Sequence, residues 1–470
     1  MMPIEQVRDR IAPRQTFLNS IPQAKYDRQI VTGLDKFLRG RIPEDMRAFY
    51  SESELAAIEQ HKHTMHDIEA RMPVKLTRHY FELAKHSQPL QTLVKASPKE
   101  TFDLAGTADP AGQMNYSPVE GLLHKYELAL IYVASTCSAH CRFCYREELI
   151  AGKEVSRPDG RIASKGLADT GEVVAYIEQH NRLVKNNGGT HPRSGRGELR
   201  EVLLSGGDPM VLSNRRLGAW LSALADVGIE SIRIGTKELA FYPDRFDAAF
   251  FAMIDDFHAH YPDVQLRMML HFNHPDEFLR GQTWHPSTAH AVGELALRPW
   301  VSIDNQAPII RGINDDAEAL RTLQRALRRK GIENHYFFCG RDIVGHKAFN
   351  VPIERAWQLL NESQKGLSGV ESHARLALSH FKGKIEVVSV VSEPVSRIDG
   401  GDDGIVIFKL IRSPADAKDR SKVTIARRNP NALWIDAYAD RVVYDGVGLF
   451  RQDRKPMRHR DSPVKSLVNA

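Results

Sequence analysis

The sequence predicts an α/β protein built around a parallel β-sheet, and three observations support this fold class. Continuous apolar runs, of which residues 128–133 are the clearest, are typical of parallel strands buried on both faces. Segments with helical periodicity, such as 215–224 and 317–330, lie between these runs. Polar motifs follow the ends of several strands. The alternation of strand and helix indicates right-handed crossovers, which bring the carboxyl ends of the strands to one edge of the sheet.

The same patterns divide the chain into three regions. Residues 1–110 are predicted to form a helical N-terminal region, with helix-like spacing over 30–38 and 52–71. Residues 111–380 contain the predicted sheet, and residues 381–470 a small β-rich subdomain that ends in a basic tail. The further strands of the sheet are predicted at 202–204, 231–234, 266–270 and 335–338. The strands of the subdomain are predicted at 385–391, 404–410, 423–426, 433–438 and 441–444.

Composition excludes several classes of protein. The 470 residues are 42% hydrophobic and 26% charged, which is ordinary for a globular chain and excludes a disordered one. The net charge of +5 is too small to indicate binding to nucleic acid or to an anionic membrane. The sequence lacks an apolar run of about 18 residues and a signal-like start. We therefore expect no transmembrane helix and a cytoplasmic location.

Three of the four cysteines lie in one short segment, residues 137–144, which we call the cysteine loop. Its thiols belong to Cys137, Cys141 and Cys144. A structural zinc site usually needs two separated pairs of ligands, and the sequence offers no second pair. Three thiolates in one loop suit a 4Fe–4S cluster with one iron left open to bind a small molecule. The alternative is three buried free cysteines.

A second motif, Ser205-Gly206-Gly207-Asp208, follows the predicted strand at 202–204, and we call it the glycine turn. Two glycines at the end of a strand allow close backbone approach to a ligand. A Gly-Gly-Asp segment alone is more often a plain turn. Its place about 60 residues after the cysteine loop, at a strand end, favours a binding function.

The spacing Cys-x3-Cys-x2-Cys resembles that of the radical S-adenosylmethionine (SAM) superfamily, and the wider pattern resembles the lysine 2,3-aminomutase family over about residues 30–390. The motifs that carry the family resemblance are, in order, 117–122, the cysteine loop, the glycine turn, 232–236, 271–275, 305–306 and 311–315. The resemblance implies a partial (β/α)6-type barrel. It also implies a 4Fe–4S cluster, SAM cleaved to a 5′-deoxyadenosyl radical, and pyridoxal phosphate (PLP) for an amino shift on a free amino acid.

The resemblance assigns roles to individual residues. The three loop cysteines are implied to bind the cluster, with Phe143 near the adenine of SAM. Ser205, Gly206, Gly207 and Asp208 are implied to contact the methionyl part of SAM, and His271 and Gln306 to line the SAM site. Arg146 is implied to hold the substrate carboxylate, because a planar guanidinium suits bidentate binding. A reductase, flavodoxin or ferredoxin as electron donor and a homo-oligomeric assembly are also implied.

The PLP region departs from the family pattern. Lys384 is the best candidate for the lysine that binds PLP, with Lys382 as the alternative, in a stretch that is shorter and poorer in glycine than in the family. Of the arginine pair that would hold the PLP phosphate, Lys125 falls near one position and Leu128 replaces the other. Because a charge-assisted phosphate contact is lost, weaker PLP binding is expected.

The substrate region departs as well. Where lysine-specific members carry two aspartates, this chain has Arg341 and Ser379, with Asp342 adjacent. An arginine facing the substrate would select a carboxylate over an ammonium, so an acidic or polar amino acid is expected in place of lysine. Cys339 is expected to be a small buried side chain and not a ligand.

Four hypotheses remain open from the sequence. The main one is a radical SAM 2,3-aminomutase acting on an amino acid other than lysine. The second keeps the radical but not PLP, and gives epimerisation, dehydration or another rearrangement. The third, supported only by the basic tail, is an enzyme that modifies a protein or tRNA. The fourth is a non-catalytic iron–sulfur protein with Cys339 as the fourth ligand.

Overall fold

The computed structural model describes residues 30–32, 50–61, 63, 72–101, 105–107, 109–147, 155–156, 162–163, 166–394, 404–414 and 422–450. The basic tail lies outside the described residues, as does most of the segment 30–38 that was expected to be helical. No helix among the described residues is long and apolar enough to cross a lipid bilayer.

Twelve strands form one sheet, and their order across the sheet is their order in the chain. The strands are β1 (Leu122–Leu123), β2 (Leu128–Ala134), β3 (Glu201–Gly206), β4 (Ser231–Thr236), β5 (Gln265–Leu270), β6 (Val301–Pro308), β7 (Glu333–Phe338), β8 (Arg375–His380), β9 (Gly383–Val391), β10 (Ile405–Arg412), β11 (Val423–Arg427) and β12 (Val442–Asp445). Strands β2 to β8 are parallel to one another. The pairings at the two ends of the sheet are antiparallel. The structure therefore has the parallel-rich α/β architecture that the sequence predicts.

Ten α-helices accompany the sheet in the described residues. They are α1 (Glu52–Gln60), α2 (Arg78–Ala84), α3 (Gln88–Val94), α4 (Thr170–Asn186), α5 (Asn214–Asp226), α6 (Glu238–Phe241), α7 (Ala248–His260), α8 (Pro286–Ala296), α9 (Ala317–Arg328) and α10 (Ile353–Gln364). A helix lies in each of the six crossovers from β2 to β8. Side-chain caps start several of them: Asp169, for example, accepts from the backbone of Glu172, and Asp316 from that of Ala319. Such caps satisfy amide groups that the first helical turn leaves without partners.

The two faces of the parallel strands differ in character. On β3 and β4 the buried apolar side chains alternate with Glu201 and Arg233, which form an ion pair with an Nε–Oε1 distance of 2.6 Å. One face therefore packs against the crossover helices and contributes to the core, where each buried Leu, Ile or Val adds about 1.5–3 kcal/mol. The opposite face carries charged side chains, and it is the face on which polar ligands can bind.

Some expectations were wrong in detail. Residues Ile30–Thr32 form a strand that pairs with Lys75–Thr77, so the helix expected over 30–38 does not begin there. The strand expected at 433–438 is instead a 3-10 helix over Ile435–Arg441, in which the buried Ile435 and Tyr438 are three residues apart. The β-rich strands after residue 380 continue the main sheet, because β9 pairs with β8 through a tight hairpin.

Candidate active site

The carboxyl ends of six neighbouring parallel strands carry the candidate residues. The cysteine loop follows β2, and the glycine turn ends β3. Lys237 follows β4, His271 follows β5, Gln306 lies in β6, and Arg341 comes shortly after β7. Because parallel strands in sequential order present these ends at a single edge, residues that are far apart in sequence are brought to one rim.

The glycine turn is bonded directly to the segment that leads into the cysteine loop. Gly207 N donates to Ala134 O at 2.6 Å, and Asp208 N donates to Thr136 O at 2.9 Å. A Cβ at Gly206, where φ is +114°, would lie 2.2 Å from Ala134 O, and one at Gly207 would lie 2.2 Å from Thr136 O. The two glycines therefore allow the end of the neighbouring strand to approach closely, and the approach to a ligand expected from the sequence stays a prediction.

Asp208 joins the ends of β3 and β4. Its buried carboxylate accepts from the Thr236 hydroxyl at 2.8 Å, from Lys237 N at 2.7 Å and from Met210 N at 3.0 Å. Hydrogen bonds to a charged group contribute about 1.5–3 kcal/mol each, so this residue fixes the geometry of the turn. Asp208 therefore has a structural function here in addition to the cofactor contact expected from the sequence.

The three loop thiols lie near one another and near buried acids. Burial raises the pKa of Cys137, and the charges of Asp208 and of the other two cysteines raise it further. Burial likewise raises the pKa of Cys141 and Cys144. Thiols in such surroundings keep their protons until a metal displaces them.

The donor set fits an iron–sulfur cluster better than a single ion. No group of three or more His, Cys, Asp or Glu side chains in the described part of the chain is arranged to hold one metal ion. Thiolates of a cubane cluster each bind a different iron, so they need not converge on one point. Cys339 is buried elsewhere, and burial alone raises its pKa to about 12, with no contribution from the loop cysteines. This placement disfavours Cys339 as a fourth ligand.

His271 and Phe143 meet beside the cysteine loop. Their rings pack edge to face with centroids 6.2 Å apart. The His271 Nε2 atom is buried and has no hydrogen-bond partner among the described residues. Burial, helped by Lys237 and Arg146, keeps the pKa of His271 well below its usual range, so the ring is neutral. A neutral imidazole with an unused nitrogen can bond to a ligand.

Gln306 lies at a register shift in β6, next to a residue whose function the sequence did not reveal. The Asn305 amide accepts from Phe272 N at 2.7 Å and donates to Phe272 O at 3.1 Å, which ties β6 to the segment that carries His271. Gln306 is half-buried, and its side chain makes no hydrogen bond within the described residues. It is thus available to a ligand.

Arg146 and Arg341 share one aromatic ring. Their guanidinium carbons lie 4.5 Å and 3.9 Å from the centre of the Tyr145 ring. Arg146 also donates to Gly206 O at 3.1 Å, while its buried Nε has no partner in the described part of the chain. Neither arginine forms an ion pair with a carboxylate of the described residues. Two guanidinium groups without a counter-charge favour an anionic ligand.

Lys384 of β9 lies close enough to Arg341 for the charge of that arginine to affect its pKa. It lies opposite Ser379 of β8 and opposite Arg412 of β10, and its ammonium is 4.4 Å from the centre of the Tyr336 ring. Burial, with the neighbouring cations Arg412, Arg233 and Arg341, lowers the pKa of Lys384 to about 7. At pH 7 about half of such amines are neutral, and the neutral form can attack an aldehyde.

Lys382, the alternative lysine, occupies the hairpin between β8 and β9. Its ammonium lies 5.6 Å from the ring of the exposed Phe381. The geometry therefore favours Lys384 as the residue nearer to the arginines.

The ammonium of Lys125 is already bonded to backbone carbonyl groups of the fold. Its ammonium donates to Ala111 O at 2.6 Å and to His380 O at 2.7 Å, and burial lowers its pKa to about 7. Leu128 lies in β2, where it pairs with Glu201. The two positions expected to hold a phosphate thus offer no free cation. Arg412, which forms a 3.6 Å ion pair with Glu127, is the cation next to Lys384 in register.

Sequence reasoning missed a buried cation beneath the loop. Lys237 donates to His271 O at 2.6 Å, to Asn273 Oδ1 at 2.9 Å and to Glu277 Oε1 at 2.6 Å. Its charge opposes the rise in the pKa of Cys141. The signal in the sequence is weak, because only its place directly after the motif 232–236 distinguishes Lys237 from a surface lysine.

Comparison with known proteins identifies the family. No protein-family model matches the chain. A protein of Aquifex aeolicus, provisionally named L-lysine 2,3-aminomutase, is 31% identical over 360 residues, which cover 76% of this chain and 84% of the relative. The chain therefore belongs to the lysine 2,3-aminomutase family.

Two further relatives carry different substrate names. The L-lysine 2,3-aminomutase of Clostridium subterminale is 23% identical, with 69% of this chain and 76% of the relative covered. The glutamate 2,3-aminomutase of Clostridioides difficile is 25% identical, with 60% of this chain and 58% of the relative covered. The names of the relatives therefore leave the substrate of this chain open between a basic and an acidic amino acid.

Proposed function

We propose that this protein is a radical SAM 2,3-aminomutase that acts on an acidic amino acid. The strongest support is the juxtaposition at one rim of three half-buried thiols, the glycine turn bonded to the segment before them, and two arginines that form no ion pair within the described residues. Membership of an aminomutase family gives the reaction class, an isomerisation by amino transfer within one molecule.

The proposed scaffold is an open (β/α)6-type barrel. Its support is the sequential order of the parallel strands and a long-range effect across the charged face. Arg233 of β4 contributes to the lowered pKa of Lys384 on β9, although four strands lie between them in the sheet. In a flat sheet five strand spacings would separate the two strands by about 24 Å, so an interaction between these side chains supports a curved sheet.

In the proposed mechanism the chain holds its reactants around one charged space. When bound, the cluster, SAM and PLP would supply an electron, a radical that removes a hydrogen atom, and a carrier for the migrating amino group. Cys137, Cys141 and Cys144 would hold the cluster, and Phe143, His271, Gln306 and the glycine turn would form the SAM site. The carbonyl of Gly206, already bonded to Arg146, links that site to the substrate arginines.

Substrate selection is proposed to depend on Arg146 and Arg341. Arg146 would bind the α-carboxylate and Arg341 the distal carboxylate, since both guanidinium groups stack on Tyr145 and thus lie near each other. The ammonium of lysine would meet Arg341 as a like charge, and such a juxtaposition is costly in a site of low dielectric constant. Glutamate and aspartate are therefore the first substrates to test.

Lys384 is proposed to bind PLP. Its amine has a pKa of about 7 and no hydrogen-bonded or ionic partner in the described residues, so it can react as the free base at neutral pH. The commitment of Lys125 to two carbonyl groups favours a second candidate function, in which the same radical chemistry proceeds without PLP. Borohydride reduction in the presence of PLP, followed by peptide mass spectrometry, separates the two. An adduct on Lys384 supports the aminomutase, and no adduct on any lysine supports the PLP-free enzyme.

The proposed radical chemistry is tested by SAM cleavage. The chain is reconstituted with iron and sulfide without oxygen, reduced with dithionite and incubated with SAM. We expect 5′-deoxyadenosine from the wild type and from Cys339→Ala, the matched cysteine control, and none from Cys141→Ala. Absence of 5′-deoxyadenosine from a wild-type chain that holds a full cluster would refute the proposal.

A further inference from the structure

The segment 72–101 is bonded to the cysteine loop through a wholly buried ion pair. Arg142, which lies between Cys141 and Cys144, donates through Nε to Glu100 Oε1 at 3.1 Å and through Nη2 to Glu100 Oε2 at 2.7 Å. Its Nη1 donates to Met72 O at 2.5 Å. The two side chains are 0% and 1% exposed, so neither charge is shared with solvent.

Four more hydrogen bonds join the same two segments. The ammonium of Lys75 donates to Cys137 O at 2.7 Å, and Lys75 O accepts from His140 N at 2.8 Å. Arg142 N donates to Leu93 O at 2.8 Å, and His140 Nδ1 bonds to the carbonyl of Pro73 at 2.8 Å. The backbone of the loop is thus held at its first cysteine and on both sides of its second, which leaves the thiols little freedom to move apart.

We propose that Glu100, Arg142 and Lys75 are positioning residues that hold the cysteine loop in the shape that binds the cluster. This inference rests on the proposed function, because it supposes that the loop binds iron. A buried ion pair contributes little net stability compared with a well-packed apolar pair, but a bidentate one fixes orientation. Its location inside the loop therefore points to a function in shaping the site. Residues that orient metal ligands commonly change metal affinity about 10–100-fold when they are replaced.

The test compares Glu100→Gln with Glu354→Gln. Glu354 is a matched control, because it is also buried and accepts from Arg428 Nε at 2.9 Å and from Tyr438 OH at 3.2 Å, but these partners lie between β11 and β12, away from the cysteine loop in sequence. Each full-length chain is reconstituted without oxygen. The measurements are iron per chain, the rate of iron loss to a chelator, the electron paramagnetic resonance (EPR) spectrum of the reduced cluster with and without SAM, and the melting temperature of the metal-free chain.

We expect iron loss to be about tenfold faster in E100Q than in the wild type, with an altered EPR spectrum, and unchanged in E354Q at a comparable loss of melting temperature. Lys75→Met removes only a partly exposed ammonium. It should show the same change in smaller degree, which keeps the test decisive if E100Q does not fold. Wild-type iron retention and spectra in the Glu100 and Lys75 variants would overturn the inference, as would equal iron loss in E354Q. A wild-type chain that holds no cluster would instead refute the proposed function.

Discussion

Replacing Lys384 with methionine is expected to stabilise the fold at neutral pH. The pKa of this lysine is about 7 in the folded chain against 10.5 for a free side chain, because burial and three nearby arginines disfavour its charge. Each pKa unit corresponds to about 1.4 kcal/mol. Since the side chain keeps some contact with solvent, we expect K384M to gain about 2–3 kcal/mol in the free energy of unfolding at pH 7.

The difference in the free energy of unfolding between K384M and the wild type should depend on pH. Between pH 7 and pH 10.5 the unfolded chain binds a proton at this lysine that the folded chain does not, so the stability of the wild type rises with pH through that window. The advantage of K384M should be fully present below pH 7 and should vanish near pH 10.5.

Urea denaturation of the two metal-free chains at several pH values measures this difference. Lys382→Met is the matched control, because Lys382 lies in the same hairpin, against the exposed Phe381. We expect K382M to lack the gain in the free energy of unfolding that K384M shows at pH 7. A K384M chain that is less stable than the wild type at pH 7, or an advantage that does not change with pH, would refute the reasoning.

Three other substitutions test the site. Arg341→Ala should raise the KM for an acidic substrate at least about tenfold, because a charge-assisted hydrogen bond contributes about 1.5–3 kcal/mol; an unchanged KM would argue against its contact with substrate. Gly206→Ala should lower the free energy of unfolding by about 1–3 kcal/mol, since its Cβ would lie 2.2 Å from Ala134 O, and unchanged urea unfolding would contradict that. Asp208→Asn should cost a similar amount through the weakened contacts to Thr236 and Lys237, measured in the same way.

Apolar runs in the sequence predicted five of the seven parallel strands, β2 to β5 and β7. Two strands of the parallel sheet, β6 and β8, were not predicted. In β6 the residues Ser302, Asp304 and Asn305 interrupt the apolar pattern. The buried Asn305 is stable in this strand because its amide bonds to the backbone of Phe272. In β8 the exposed Arg375 and the half-buried Ser379 have the same effect. Strand prediction from apolar runs fails where polar side chains on the charged face of the sheet interrupt those runs.

In the candidate site, too, some features could be predicted from the sequence and others could not. Residues placed directly at strand ends, such as the cysteine loop and His271, could be found from the sequence because a motif and a strand coincide. The ion pair between Glu100 and Arg142 could not be found, since its partners are 42 residues apart and Glu100 belongs to no recognisable motif. Likewise, nothing in the sequence indicates that the ammonium of Lys125 is used by two backbone carbonyl groups. Such contacts depend on tertiary packing.

The most direct test of the proposed aminomutase is a product assay with paired substrates. The reconstituted and reduced chain is given SAM and PLP, together with glutamate, aspartate or lysine, and the amino acids are separated by mass and retention time. The arginine pair at Tyr145 predicts a β-amino isomer of glutamate or aspartate, formed with 5′-deoxyadenosine, and little or no β-lysine. Preferential formation of β-lysine, or turnover of SAM without any β-amino acid, would contradict the proposal.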